Sequence, residues 1–325
     1  MCAVELRQGG LHLTGTALWL DARRKSELSF VSHAHSDHIA RHERIIATSP
    51  TVRFMTYRLG ALPAALPVPY NRPFVLGPLG VELLPAGHIL GSAQIRVTRS
   101  DGRRIVYTGD LNLAPSLTAE PVQVAACDTL IIESTFGHPR YLFPPKQQVL
   151  ADVEAWVRRK LESGSAPILL GYSLGKSQEV MRFLAGRGFD ICAHASVYEI
   201  AQLYEEFGIP LERVRRFNGV LKDGEVGVFP PHLARSVSVR RIWPRASAVL
   251  TGWALDANGA RRYGADVAFP LSDHADFAGL LRYARETGAT EVITHHGFAD
   301  ELAKALREAG IEARAIGKPL QLRLF

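Results

Sequence analysis

The chain has 325 residues, more than the roughly 250–300 at which a single core usually stops growing, so one large domain with a second lobe is expected. Hydrophobic residues make up 47% and charged residues 22%, an ordinary globular balance, and the net charge of +6 is compatible with a polyanionic substrate without assigning one. Three scattered cysteines (Cys2, Cys127, Cys192) with no Cys-x-x-Cys pair exclude a disulfide framework and a cysteine zinc site, and the lack of a leader-like start or a long apolar run points to a cytoplasmic protein with no membrane partner.

The first third reads as β-rich. Leu11–Asp21 alternates and ends in an acid, and the short apolar run Leu28–Ser32 stops at a histidine cluster. Val81–Leu84, Gln94–Thr98, Arg104–Thr108 and Thr129–Ile132 are further strands separated by Gly- and Pro-containing turns, the last ending at Glu133. After Phe136 the pattern changes. His138–Pro145 reads as a linker. In Lys146–Glu162, Val149, Val153, Trp156, Val157 and Leu161 share one helical face. Strand Pro167–Leu170, helix Lys176–Leu184, strand Asp190–Ala193 and helix Val197–Phe207 follow, and this βαβα order implies a small parallel sheet. Strands at Ala246–Thr251 and Ala268–Leu271, a helix at Phe277–Thr287 and a strand at Glu291–Thr294 complete the series. The expected fold class is α/β, one domain (1–140 and 266–325) interrupted by an inserted α/β lobe (141–265).

The chemistry is concentrated in His33-Ala34-His35-Ser36-Asp37-His38, directly after a strand. Residues two apart in extended chain project to the same side, so His33 and His35 can share one metal, with Asp37 and His38 beside it for a second. Imidazole and carboxylate without thiolate suit Zn²⁺ and also tolerate Mn²⁺ or Fe. His88 (in Ala86-Gly87-His88), Asp110 (in Thr108-Gly109-Asp110) and the pair His295-His296 before Gly297 each stand beside glycine, which lets backbone carry a ligand close. His12, His42, His138, His194 and His232 lack such a setting and are read as structural. Gly175-Lys176-Ser177-Gln178 opens a helix, where Lys176 and Ser177 are either phosphate contacts or a plain helix start. Arg235, Arg240, Arg241 and Arg245 are either a nucleic-acid face or a solvated one, and Arg261 and Arg262 are further substrate-contact candidates.

Taken together, these segments resemble the motifs of the metallo-β-lactamase superfamily over nearly the whole chain. The resemblance implies an αββα sandwich. It makes Asp21 the acid that orients the cluster by hydrogen bonds rather than by binding metal. It also places His33, His35 and His88 on a first metal and Asp37 and His38 on a second, with Asp110 bridging. Glu133-Ser134-Thr135-Phe136-Gly137, Ser272-Asp273-His274-Ala275-Asp276 and Thr294-His295-His296-Gly297 resemble motifs A, B and C of the β-CASP nucleases, whose inserted α/β lobe the segment 141–265 would be. By that resemblance Glu133 and His274 are a paired acid and imidazole near the leaving group. The last ligand of the second metal is His296, which directly precedes Gly297, or else its neighbour His295. The short length, Gly175-Lys176-Ser177-Gln178 and Thr251-Gly252-Trp253 are similar to the bacterial ligase-associated DNA exonuclease family. The implied function is a two-metal phosphodiester hydrolase, a DNA exonuclease in repair, with Asp37, His274 and Glu133 catalytic and with DNA ligase and helicase as repair partners. An RNA-processing β-CASP ribonuclease and a non-catalytic nucleic-acid-binding β-CASP subunit are the alternatives, and the intact ligand set speaks against the second.

Overall fold

The computed structural model describes residues 3–317, so Cys2 lies outside the described residues. In chain order the elements are strands β1 (Val4–Arg7), β2 (Gly10–Leu13), β3 (Leu18–Leu20), β4 (Leu28–Phe30) and β5 (Arg44–Ala47), helix α1 (Ser49–Leu59), and strands β6 (Ala65–Pro67), β7 (Phe74–Leu76), β8 (Leu79–Pro85), β9 (Ala93–Thr98), β10 (Arg104–Tyr107) and β11 (Thr129–Glu133). Then come α2 (Lys146–Glu162), β12 (Ala166–Leu170), α3 (Lys176–Ala185), β13 (Ile191–Ala193), α4 (Ala195–Glu205), β14 (Val214–Arg216), β15 (Val226–Phe229), α5 (Val237–Arg240), β16 (Arg245–Leu250), α6 (Gly259–Tyr263) and β17 (Val267–Phe269). The chain closes with α7 (Phe277–Glu286), β18 (Glu291–His295), α8 (Ala299–Glu308) and β19 (Ala313–Ala315).

The chain forms two compact units, one of residues 1–113, 119–142 and 274–325, the other of residues 114–118 and 143–273. The first unit holds two sheets, ordered β1-β2-β3-β4-β5-β6 and β19-β18-β11-β10-β9-β8-β7. Alternation along the strands of the second sheet decides what each face buries. Ile105, Tyr107, Ile131 and Ile293 point into a core shared with Leu11, Leu18, Leu20 and Phe30 of the first sheet. Their neighbours Val106, Leu130, Ile132 and Val292 point the other way, into a core completed by Leu280 and Tyr283 of α7 and Leu302 and Leu306 of α8. Both faces of the central strands are therefore apolar, which explains their continuous hydrophobic sequence.

The second unit is built on a sheet ordered β14-β13-β15-β12-β16-β17, in which every pairing is parallel. Ile168, Leu170, Phe229, Val239, Ile242 and Val249 form its core cluster. Helix α2 matches the expected span and buries Val149, Val153, Trp156 and Val157.

One expected strand differs. Leu11–Asp21 is not continuous but two strands, β2 and β3, because Gly15 takes φ 75° and Thr16 N–H donates to Leu13 O at 3.2 Å, closing a turn. Among the described residues no helix is long and apolar enough to cross a membrane.

Candidate metal centre

Strand direction brings the chemistry-bearing residues of the first unit to one edge. β3 and β4 run parallel, and Asp21 and His33 follow their C-terminal ends. β10, β11 and β18 also run parallel, while β8 shares their direction because both β8 and β10 pair antiparallel with β9. His88, Asp110, Glu133 and His295-His296 accordingly sit at or just past strand ends on that edge, the usual place for a site on a parallel sheet.

Asp21 organises the cluster. It sits at φ 47°, and its carboxylate accepts from Ser32 N–H at 2.7 Å, Ser32 Oγ at 2.5 Å, Tyr107 Oη at 2.7 Å and His38 Nδ1 at 2.8 Å. A carboxylate only accepts, so His38 carries its proton on Nδ1. Its Nε2 faces Asp110 Oδ2 at 3.5 Å and Asp37 Oδ2 at 3.6 Å. Ser32 spends its hydroxyl proton on Asp21, so it accepts from His33 Nδ1 at 2.9 Å, which leaves the His33 Nε2 lone pair aimed inward. Ser32 and Tyr107 were not singled out from the sequence; the position of Ser32 directly before His33 was the available signal.

The inward donors converge. His35 Nδ1 lies 3.1 Å from His33 Nε2 and 3.1 Å from His88 Nε2, while Asp110 Oδ2 lies 3.3 Å and 3.7 Å from those same two Nε2 atoms. Four donors at about 2.0–2.1 Å from a tetrahedral Zn²⁺ stand about 3.3–3.4 Å apart, so this set fits such an ion. His33, His35, His88 and Asp110 form one group able to hold a metal. His38 Nε2 lies 3.5 Å from the same Asp110 Oδ2 and 3.6 Å from Asp37 Oδ2, so Asp110, His38 and Asp37 offer a second set of donors that shares Asp110.

The electrostatics agree with a site that accumulates positive charge. Burial and the neighbouring imidazoles of His38, His88 and His35 hold His33 well below the ordinary histidine range. Burial also opposes charge on His38, but Asp110, Asp21 and Asp37 outweigh it and push its pKa up to about 10. Burial raises Asp110 to about 7 against the pull of His38 and His274.

His295 and His296 go different ways. His295 is the last residue of β18, opposite Glu133, and its ring lies buried against Tyr107 at 5.4 Å between centroids. His296 takes φ 63° and turns out of the strand, stacking on His38 at 5.8 Å with Arg23 Nη2 at 3.0 Å from its Nε2. Burial, His38 and Arg23 lower its pKa to about 4, so its ring is neutral near pH 7. Gly297 makes the turn possible, since a Cβ there would lie 2.3 Å from Ser134 O.

His274 enters the same edge from residues before α7. Its Nδ1 donates to Glu133 at 3.0 Å and 3.1 Å to the two carboxylate oxygens, and its Nε2 lies 3.9 Å from Asp110 Oδ2. Glu133 is fully buried and also accepts from Leu111 N–H at 2.7 Å and Thr135 N–H at 3.3 Å. Burial favours its neutral form, but His274 and these donors prevail and keep its pKa below the ordinary value.

In the second unit, Lys176 and Ser177 present no polar end to solvent. Lys176 is buried in an ion pair with Asp273, and the Ser177 hydroxyl is buried beside Gly171. Arg261 and Arg262 are exposed on α6, with Arg262 lying 5.8 Å over the Trp253 ring.

No protein-family model matches the chain. It is 42% identical over 316 residues to a protein named "Probable DNA ligase" from Opitutus terrae, an alignment covering 97% of this chain and 31% of that protein. The chain thus spans about a third of that relative's length. It is 24% identical over 339 residues to an "RNase J-like protein" of Methanocaldococcus jannaschii, covering 82% of this chain and 80% of the relative. It is 27% identical over 207 residues to "DNA cross-link repair protein SNM1" of Arabidopsis thaliana, covering 59% and 43%. These likenesses agree with the motif resemblance: the chain belongs to the β-CASP metallo-β-lactamase superfamily.

Proposed function

We propose that the chain is a metal-dependent phosphodiesterase acting on nucleic acid, and specifically a DNA exonuclease of repair. The observation that carries this reading is the His274–Glu133 pair standing with Nε2 3.9 Å from the carboxylate shared by the two donor groups. In this reading the first unit is the metallo-β-lactamase αββα sandwich and the segment 141–265 is the β-CASP lobe. His33, His35, His88 and Asp110 hold one divalent ion, and Asp37, His38, Asp110 and His296 a second, with Zn²⁺ or Mn²⁺ as the ions. Bound there, such ions lower the pKa of water and neutralise phosphate oxygens.

The chain's own residues supply the rest. Asp21 holds the ring of His38 by its Nδ1–H, so Nε2 is the atom that would give up its proton to take an ion. His274, its Nδ1 proton held by Glu133, gives a proton from Nε2 to the departing sugar oxygen, and the imidazole that remains is reprotonated from solvent. The leaving oxygen thus departs as a hydroxyl and the phosphate keeps the attacking oxygen. Arg261 and Arg262 are the proposed backbone contacts of the substrate in the second unit.

DNA is favoured because the 42% identical relative carries the name of a DNA ligase, which also makes a ligase activity the proposed partner in a cytoplasmic repair reaction, with a helicase added by the family resemblance alone. An RNA substrate is the second reading, favoured by the 80% coverage of the RNase J-like relative. End-labelled single- and double-stranded DNA and RNA, incubated with metal-loaded protein and resolved on a gel, separate the two. A ladder from the DNA ends supports the first reading, degradation of RNA alone supports the second, and no cleavage of either refutes the proposal.

A further inference from the structure

Trp243 is 83% exposed, an unusual position for an indole. It is not swinging on a loose loop. Val239 and Ile242, on either side of the turn that precedes it, are buried in the core of the second unit. Arg245 Nη1 donates to the carbonyls of Arg240 and Ile242, each at 3.3 Å, and Pro244 O accepts from Ala166 N–H at 2.9 Å. The backbone on both sides is tied down, and the indole is held outward.

The stretch of chain that carries it has one sign of charge. From Val226 to Leu255 the chain has no Asp or Glu and four arginines, Arg235, Arg240, Arg241 and Arg245. The first three of these are exposed. Asp266, the carboxylate that the sheet brings to this end of β16, is taken by Ser247 N–H at 2.7 Å and Ser247 Oγ at 2.9 Å. A protein-docking site would present a contiguous apolar patch of a few hundred Å². Here Ile242 and Val239 are turned inward and Val237 is the other exposed large hydrophobic side chain between Arg235 and Arg245, so the apolar surface is small beside the flat ring and the exposed arginines. That combination fits an unpaired base on the ring and phosphates on the arginines.

We propose that Trp243, with Arg240 and Arg241, is a stacking platform for single-stranded nucleic acid, an exosite in the unit that does not carry the metal donors. A duplex keeps its bases stacked within itself and offers no free face to the ring. The proposal rests on the nucleic-acid reading for its ligand class but not on hydrolysis.

The test uses the whole chain, freed of metal with a chelator, and an oligodeoxynucleotide of about 16 residues, the upper site size of small single-strand binding lobes. Binding is read both by tryptophan emission and by anisotropy of a labelled strand, with an RNA of the same length in parallel. Wild type is expected to bind with quenched emission. Trp243→Ala is expected to weaken binding roughly 5- to 100-fold and to lose most of the quenching, with Trp243→Phe retaining most of the affinity. Arg240→Ala and Arg241→Ala are each expected to flatten the salt slope by about 0.7. An exposed ring carries no core, so the unfolding midpoint of each variant serves as the control for folding. Unchanged affinity in Trp243→Ala overturns the platform. So does a Trp243→Ala protein that binds the strand normally but loses self-association in sedimentation, which assigns the ring to a protein contact. Trp243-dependent binding without any hydrolysis by metal-loaded protein would retain the platform while refuting the nuclease reading.

Discussion

Replacing His274 by alanine removes the proposed proton donor while leaving every proposed metal ligand in place. The size of the effect follows from the geometry. Nδ1 is engaged by Glu133 at 3.0 Å and Nε2 stands 3.9 Å from Asp110 Oδ2, so the ring is already oriented toward the reacting centre. A positioned general acid contributes roughly 10²–10⁴-fold, which corresponds to about 3–5 kcal/mol of transition-state stabilisation. The same change strands the Glu133 carboxylate in the core, but Leu111 N–H at 2.7 Å and Thr135 N–H at 3.3 Å still satisfy it. The fold should therefore persist with a modest fall in unfolding midpoint. The assay compares kcat on a DNA strand with kcat on a nitrophenyl phosphodiester, at matched metal content checked by elemental analysis. The natural substrate should lose roughly 10²–10⁴-fold, and the activated ester far less, because nitrophenolate leaves without a proton. Glu133→Gln should show a milder version. Equal losses on both substrates would refute proton donation and leave substrate positioning as the role of His274.

Asp37 has a side chain 62% exposed, so Asp37→Ala should unfold near the wild-type temperature while losing phosphodiester hydrolysis; normal cleavage by the folded variant would contradict the second metal set. Elemental analysis should find about two equivalents of metal in wild type and in His295→Ala, and about one in His296→Ala, with the reverse result assigning the ligand to His295. His38 has a pKa of about 10 in the metal-free protein, so it is charged at pH 7 and must give up one proton when its Nε2 takes a metal. Calorimetric titration in buffers of different ionisation enthalpy should report that release, and affinity should rise with pH up to about 10. The sign for stability is the opposite: the contribution of His38 to the metal-free fold is fully present below about pH 6.5 and is lost as pH rises toward 10, readable as a falling unfolding midpoint.

Much of this molecule was legible in its sequence because the signals were local. His33-Ala34-His35-Ser36-Asp37-His38 places four donors within one short loop, and period-3.6 apolar residues marked α2 over its full length. The strands of the central sheet were visible as apolar runs, since burial on both faces removes the need for polar alternation. The turn at Gly15 that splits Leu11–Asp21 was missed; its signals were Thr14-Gly15-Thr16 and the shift of buried positions from Leu11 and Leu13 to Leu18 and Leu20. Spacing alone could not give the long-range relations, which the family resemblance implied and the tertiary structure displays as contacts. The pairing of Glu133 with His274 spans 141 residues, and the direction of β8, β10, β11 and β18 brings His88, Asp110 and His296 to the edge where His33 lies. It also separated His295 from His296, since only the positive φ at the end of β18 sends one ring against Tyr107 and the other toward His38. The burial of Lys176 and Ser177 was likewise not legible, because a helix start looks alike in sequence whether its side chains meet solvent or an ion pair. Residue type and spacing determine what chemistry a chain can hold, whereas which atoms meet depends on strand order and burial, properties of the whole chain.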